Sequence, residues 1–247
     1  MNVVILAAGY ATRLYPLTKD FPKALLPLGE KTIFERLVSS LAELPLTRVT
    51  VVSNQRFQSH FSDALQAMEL PCEFHLQVNR STHVDDRLGA IGDLALGLTD
   101  MPAAPTLVVA ADTVFLFSFT KIWQHFLEVG LSTLCAWHNP DPEDRKTRGN
   151  VVVDDSGQVV SFVEKPAVPG SAWSAAPVYV FREEDLQMVA EYLDQGGNPD
   201  APGHYVEWLC QQRPLSAWST EQAPLDIGTH ATLAAAREYF RVADSDS

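Results

Sequence analysis

Cations are scarce in this chain: 18 Lys and Arg stand against 31 Asp and Glu among 247 residues, a net charge of −13. So acidic a balance argues against a nucleic-acid binder, whose footprint is basic, and against a polybasic membrane-surface protein. The expected partners therefore include no nucleic acid and no membrane. Cysteine is scarcer still, and Cys72, Cys135 and Cys210 show no Cys-x-x-Cys spacing. Three scattered cysteines make neither a disulfide framework nor a zinc site, which leaves buried free thiols. The apolar start of the chain is interrupted by Gly9 and Arg13, before it reaches the length of a signal-peptide core. No stretch approaches the roughly 18 apolar residues of a membrane span, so a cytoplasmic protein is expected. The sequence also lacks H-E-x-x-H, G-x-S-x-G, the G-x-x-x-x-G-K-[ST] phosphate loop, and G-x-G-x-x-G after its first apolar run.

What is present is a strong alternation. Residues 3–8 are a short continuous apolar run closed by Gly9, the pattern of a strand buried on both faces. Ile33, Phe34, Leu37, Val38, Leu41 and Leu44 then recur at the spacing of one helix face. Strand-like runs at 48–53, 72–78 and 106–111 and helical patterns at 58–68 and 87–98 continue the rhythm to about residue 130. Such alternation predicts βαβ units around a parallel sheet. Beyond residue 130 short strands are expected at 131–138, 149–154, 159–164 and 177–181, with Asp154-Asp155-Ser156-Gly157 as a hairpin turn. Helices near 184–193 and 204–212, a strand near 216–219, a helix after Thr229 and a frayed tail at 243–247 complete the prediction. The expected fold class is α/β: one domain over residues 1–247, with a mixed, mostly parallel sheet flanked by helices and a more antiparallel half from about 131 to 242. Open sheets of this kind bind ligands beyond the carboxyl ends of their parallel strands. That rule selects the segment after Ala8, Ser53-Asn54, and Asp112.

The segment after the first strand carries the chemistry. From Leu6 the strand feeds directly into Ala7, Ala8 and Gly9, small enough for backbone N–H groups to approach an anion closely. Arg13 offers a forked contact to phosphate oxygens and Lys23 a mobile point charge, with Pro16 and Pro22 stiffening the chain between them. As a whole, L-A-A-G-x-x-T-R-L-x-P-L-T-x-x-x-P-K over residues 6–23 resembles the signature of the sugar-1-phosphate nucleotidyltransferases, or NDP-sugar pyrophosphorylases. The resemblance is strongest in residues 1–30, thins after 170, and finds later landmarks in the family's order.

That resemblance implies a Rossmann-like fold of the GT-A type that moves NMP from an NTP to a sugar 1-phosphate, releasing pyrophosphate. It assigns about residues 1–130 to the nucleotide and 131–242 to the acceptor. Arg13, Lys23 and Asp112 become the catalytic candidates, and Asp112 with Asp226 of Asp226-Ile227-Gly228-Thr229 the ligands of Mg²⁺. Two carboxylates completed by phosphate oxygens and water suit that ion. Leu6, Ala7, Ala8 and Gly9, joined by Asn79, Arg87 and Gly89 around the run ending in Gly92-Asp93, would hold the nucleotide. Gly149 and the Glu164-Lys165-Pro166 segment would hold the acceptor, provided that the strand end re-aims one of two side chains that alternation points to opposite faces. The implied partners are an NTP and a phosphorylated small-molecule acceptor, with a homo-oligomer left open. The loop 198–203 reads either as a cover for the acceptor or as a rigid surface connection.

Several positions depart from the family pattern. Tyr10 and Ala11 stand where glycine is usual, which would narrow the loop; Ala111 precedes Asp112 in place of glycine; and Pro177 deprives an acceptor contact of its N–H. Two other functions compete with the sugar-phosphate reading. One is a cytidylyltransferase for a small non-sugar phosphate such as phosphocholine, needing an aromatic cage from Trp173, Tyr179, Tyr205 and Trp208. The other is a regulatory subunit of the same fold that binds without turnover.

Overall fold

The computed structural model describes residues 1–68 and 72–245. Nine strands make one sheet: β1 Asn2–Leu6, β2 Arg48–Asn54, β3 Phe74–Asn79, β4 Thr106–Ala110, β5 Thr133–His138, β6 Gly149–Val153, β7 Val159–Glu164, β8 Trp173–Phe181 and β9 Ser216–Thr220. Their order is β7-β6-β8-β4-β1-β2-β3, with β5 joining β8 to β9. The neighbours β4, β1, β2 and β3 are all parallel, whereas β8 runs antiparallel to β4, β5 and β6. The switch falls where the alternation of strand and helix patterns stops in the sequence.

The helices packed on this sheet are α1 Ile33–Leu41, α2 Gln58–Ala67, α3 Gly89–Gly97, α4 Phe119–Val129, α5 Met188–Asp194 and α6 Pro202–Gln212, while α7 His230–Ser245 packs beside it on the early loops. The pleat of β1 sends Val3 and Ile5 to a core shared with Phe34, Leu37, Phe61 and Ile122, and Val4 to a second core with Ile91, Leu94, Tyr205 and Leu209. Helix α1 starts sharply because Thr32 and Glu35 cap each other reciprocally: Glu35 N donates to Thr32 Oγ1 at 3.1 Å and Thr32 N to Glu35 Oε2 at 2.6 Å. A third, smaller core gathers Leu14, Leu26, Leu28 and Ile33 of the early loops against Leu233, Ala236 and Phe240 of α7.

Several boundaries differ from the sequence expectation by a residue or two, and four departures are larger or have a visible cause. Strand β8 begins at Trp173 rather than at 177, because one of its edges changes partner there: Trp173 and Ser174 face β6, and Val178–Phe181 face β4. Pro177 lies in the gap, where its missing N–H costs no ladder bond. The helix expected over 184–193 is two, Glu183–Leu186 and α5, separated by Gln187. The helix expected to begin near 204 starts at Pro202, whose fixed φ suits a first turn. The expected tail at 243–247 is helical through Ser245, since the Asp244 carboxylate accepts from Glu30 N at 3.0 Å and from Arg36 at 2.5 Å. Asp246 and Ser247 lie outside the described residues. All three cysteines are free, and burial pushes the Cys135 thiol far above its usual range. No helix of the described residues is long and apolar enough to cross a membrane.

Candidate functional site

Two clefts open side by side at the carboxyl ends of β1 and β4. The larger, of about 340 Å³, runs between Leu6, Ala7, Ala8 and Gly9 on one wall and Gly89, Ala90 and Asp93 of α3 on the other, with Ala111, Asp112 and Lys23 between. The smaller, of about 200 Å³, is bounded by Arg148, Gly149, Glu164, Tyr179 and Asp226. Asp112, Pro177 and Pro202 belong to both clefts, so the fork in β8 also forms the divide between them.

Lys23 is the most constrained charge at this divide. Its side chain is only 8% exposed, and its Nζ lies 2.7 Å from Asp112 Oδ2 while donating to the Ile227 carbonyl at 2.7 Å. A buried ammonium requires such partners, because removing it from water without them would cost several kcal/mol, about the scale of an unpaired buried ion. Asp112 keeps 48% of its side chain exposed, and its Oδ1 accepts from Thr113 Oγ1 at 3.3 Å. Desolvation works to raise the Asp112 carboxyl, but the charge and hydrogen bond of Lys23 outweigh it and hold the group below its ordinary value. Asp226 arrives beside it through a two-residue ladder, Leu225–Asp226 against Thr113–Val114, in which Asp226 faces Thr113.

These two aspartates supply hard oxygen donors from adjacent backbone, which fits a hard divalent cation. No cluster of three or more metal-ligating side chains occurs among the described residues, so substrate phosphate and water would have to complete the coordination.

In the smaller cleft Glu164 is buried, and desolvation, partly offset by Lys165 and His204, raises its carboxyl above the usual value. Its neighbour Lys165 does not line the cleft, yet a left-handed backbone (φ 50°) turns its Nζ back to within 3.9 Å of Glu164 Oε1. Gly149 lines the cleft directly; a Cβ there would meet the Phe162 ring and stand 3.1 Å from Glu164 Oε2. Arg148, which the sequence reading passed over, also faces this space. Its Nε lies 2.6 Å from Asp144 Oδ2 and its Nη1 3.8 Å from Asp226 Oδ2, and its guanidinium stands 5.6 Å from the Trp137 ring centroid. The charged run Asp144–Arg148 gives no sign in the sequence of which cation points inward.

The loop 198–203 spans both clefts. Arg87 pairs with Asp200 at 3.0 Å, and Ile91 N donates to the Pro199 carbonyl at 2.9 Å. Gly89 adopts φ 78°, and a Cβ on it would come within 2.5 Å of the Pro199 oxygen, so glycine is required by conformation and by contact.

Other expected residues are placed elsewhere. Arg13 is exposed on the 3₁₀ turn Thr12–Leu14, outside the lining of both clefts. Asn79 is 3% exposed and does not line the larger cleft; its Nδ2 donates instead to Asp93 Oδ1 at 2.5 Å. Asp93 is thus the residue that reaches the cleft, and its signal in the sequence was a single acid within the otherwise uncharged helix Gly89–Gly97. Desolvation raises the Asp93 carboxyl to about 6 against the lowering hydrogen bond of Asn79. Tyr10 does not narrow the loop: its ring is buried beside Phe57 and its hydroxyl lies 3.0 Å from Ser81 Oγ. Ala11 takes a left-handed conformation, φ 47°, where glycine would be unstrained. The aromatic cage is not assembled. Of the four, only Tyr179 lines the smaller cleft, while Tyr205 is fully buried against Trp208 and Trp173 packs on His138.

The chain is similar to known proteins in sequence and in fold. A putative mannose-1-phosphate guanyltransferase of Sulfolobus acidocaldarius is 29% identical over 196 residues, covering 76% of this chain and 50% of that protein. A UTP–glucose-1-phosphate uridylyltransferase of Synechocystis is 26% identical over 237 residues, covering 92% of this chain and 60% of that protein. The chain thus spans half or somewhat more of the length of these curated relatives. In fold it is similar to a putative glucose-1-phosphate thymidylyltransferase from Bacillus anthracis, with a TM-score of 0.82 and 20% identity over 98% of this chain and 95% of that one. A UDP-glucose pyrophosphorylase solved with UDP-glucose superposes with a TM-score of 0.79 at 16% identity, over 98% of both chains. The description of the nucleotidyl transferase family matches residues 2–241, and with the paired clefts and their shared Lys23–Asp112 contact the chain belongs to that family.

Proposed function

We propose that this protein transfers NMP from an NTP to a sugar 1-phosphate and releases pyrophosphate, acting as one cytoplasmic domain whose first 130 or so residues take the nucleotide. The observation that carries the reading is the buried Lys23, held between Asp112 and the Ile227 carbonyl where the two clefts meet. A phosphate of the acceptor is ionised at neutral pH, so its oxygen can attack the α-phosphorus without a general base. As the new P–O bond forms, the bond to the bridging α–β oxygen breaks and pyrophosphate carries off the electron pair. Catalysis of such an exchange is positioning plus neutralisation of charge.

The residues divide that work. In the loop Leu6, Ala7, Ala8 and Gly9, the Ala7 N–H is taken by the Val52 carbonyl at 2.8 Å, so the N–H groups of Ala8 and Gly9, with Arg13 reaching in from the turn that follows, would hold the departing β- and γ-phosphates. Lys23 would face the α-phosphate once its ion pair with Asp112 opens. Arg87 and Gly89 would position the nucleoside, with Asn79 acting from behind through Asp93. Gly149, Glu164 and Lys165 would orient the sugar phosphate, Arg148 adding a cation to that side. Mg²⁺ on Asp112 and Asp226, when bound, would supply positive charge between the two sets of phosphates.

The test is a matrix of NTPs against sugar 1-phosphates with Mg²⁺, read as pyrophosphate release. Lys23→Ala and Asp112→Asn are each expected to lower turnover at least about a hundredfold, the scale of removing a charge that acts on the transition state, with the fold retained by circular dichroism. Near-normal turnover in either variant would overturn the assignment. Absence of release with every pair would favour a binding-only regulatory role.

A further inference from the structure

Asp93 is out of place for a phosphate-binding cleft. It is 7% exposed and lines the larger cleft with Asp112 and Asp200, but those two are paired with Lys23 and Arg87, whereas Asp93 has no cation among the described residues and would repel the triphosphate that Lys23 and the small-residue loop are built to attract. Its orientation is set by Asn79, whose Nδ2 donates to Oδ1 at 2.5 Å; Asn79 is itself fixed, its Oδ1 accepting from Ser81 N at 3.0 Å. No other described residue donates to the Asp93 carboxylate. A desolvated acid, held rigid and short of donors, is matched only by a part of the nucleotide that brings N–H groups to it.

The bases differ in what they bring. Guanine presents two donors side by side, N1–H and the exocyclic N2 amino group, which a carboxylate accepts together. Adenine and cytosine present one amino group next to a ring-nitrogen acceptor, which would face the second oxygen of the acid. Uracil and thymine present one N–H between two carbonyls. Small residues on the facing walls, Ala7, Ala8 and Ala90, leave a slot into which a flat ring can pass. We infer that Asp93 reads the nucleobase and selects guanine, accepting from N1–H and N2, so that the NTP is GTP. This rests on the larger cleft being the nucleotide site of the proposed transferase.

The experiment is a calorimetric titration of GTP, ATP, CTP, UTP and XTP into the wild-type protein and Asp93→Asn, beside the pyrophosphate assay. The variant keeps an oxygen for Asn79 but turns an amide toward the cleft, a pattern that matches xanthine, in which the 2-amino group is replaced by a carbonyl. Wild type is expected to bind GTP about tenfold or more tighter than the other NTPs, the scale of one bidentate base contact. Asp93→Asn is expected to lose about that factor for GTP and to gain it for XTP. Preference of the wild type for UTP, CTP or ATP would overturn the inference without any variant. So would an equal loss for every NTP in Asp93→Asn, which marks a ribose contact or a structural role. The two readings fail separately. Release of pyrophosphate with UTP in preference to GTP keeps the transferase and removes guanine. Selective GTP binding without release from any sugar phosphate keeps guanine and removes the transferase.

Discussion

Replacing Asp93 by Asn should make the protein more stable, and more so at high pH than at low. The native carboxyl is raised from 3.8 to about 6 by desolvation, with the Asn79 bond opposing the rise. A raised carboxyl binds its proton more tightly in the folded state than in the unfolded one. Its contribution is therefore fully present below about pH 4 and is lost as pH climbs through about 6. The interval is about two pH units, or about 3 kcal/mol, between the protonated and ionised limits. Asn cannot ionise and still accepts from Asn79, so the variant escapes this loss. The lowered carboxyls at Asp112 and Asp144 titrate with the opposite sign but are common to both proteins and cancel in the difference. Thermal unfolding of the pair from about pH 4 to about pH 8 should show the gap widening to several degrees, at about 2–4 °C per kcal/mol for a domain of this size. A gap that stays flat across that range, or that closes as pH rises, would refute the burial of a charged Asp93. Retention of an acid that weakens the fold is what a residue kept for its ligand would show.

Two further perturbations test other parts of the site. Ala11→Gly should raise stability by about 0.5–1 kcal/mol, since relief of a left-handed alanine exceeds the added chain entropy of glycine; chemical denaturation measures it, and destabilisation would place the strain elsewhere. Arg148→Ala should raise the KM for the acceptor about tenfold or more, leaving the KM for the NTP within about twofold, as loss of one charge-assisted contact predicts. An equal change in both constants would mean that Arg148 serves only to hold Asp144 and Asp226.

Much of the scaffold was legible because its signals are local. The apolar run before Gly9, the helix face from Ile33 to Leu41 and the hairpin turn at Asp154 each depend on neighbours in sequence, and the structure agrees with them within a few residues. Residues whose environment is set by distant chain were harder to read. Pro177 looked like the start of a strand, because nothing nearby reveals that the strand changes partners around it. Asn79 and Asp93 are fourteen residues apart, and only packing decides that the amide is buried and the acid reaches the cleft. Arg148 stands among other cations, and although its close partner Asp144 is local, only folding brings it beside Asp226, far down the chain.

The third core ties the site to the order in which the chain is made. Lys23 takes its second contact from a carbonyl 204 residues later, Asp226 reaches Asp112 only by pairing with Thr113, and α7 grips the early loops through Arg237 on the Pro27 carbonyl and Asp244 on Arg36. Every strand of the main sheet precedes residue 221. On a ribosome, residues 225–245 emerge after every strand of that sheet, so Lys23 and Asp112 lack these late partners until the end of synthesis. The late segment is thus an addition to the sheet and not a part of it, and it is the Lys23–Asp112 neighbourhood that its contacts complete.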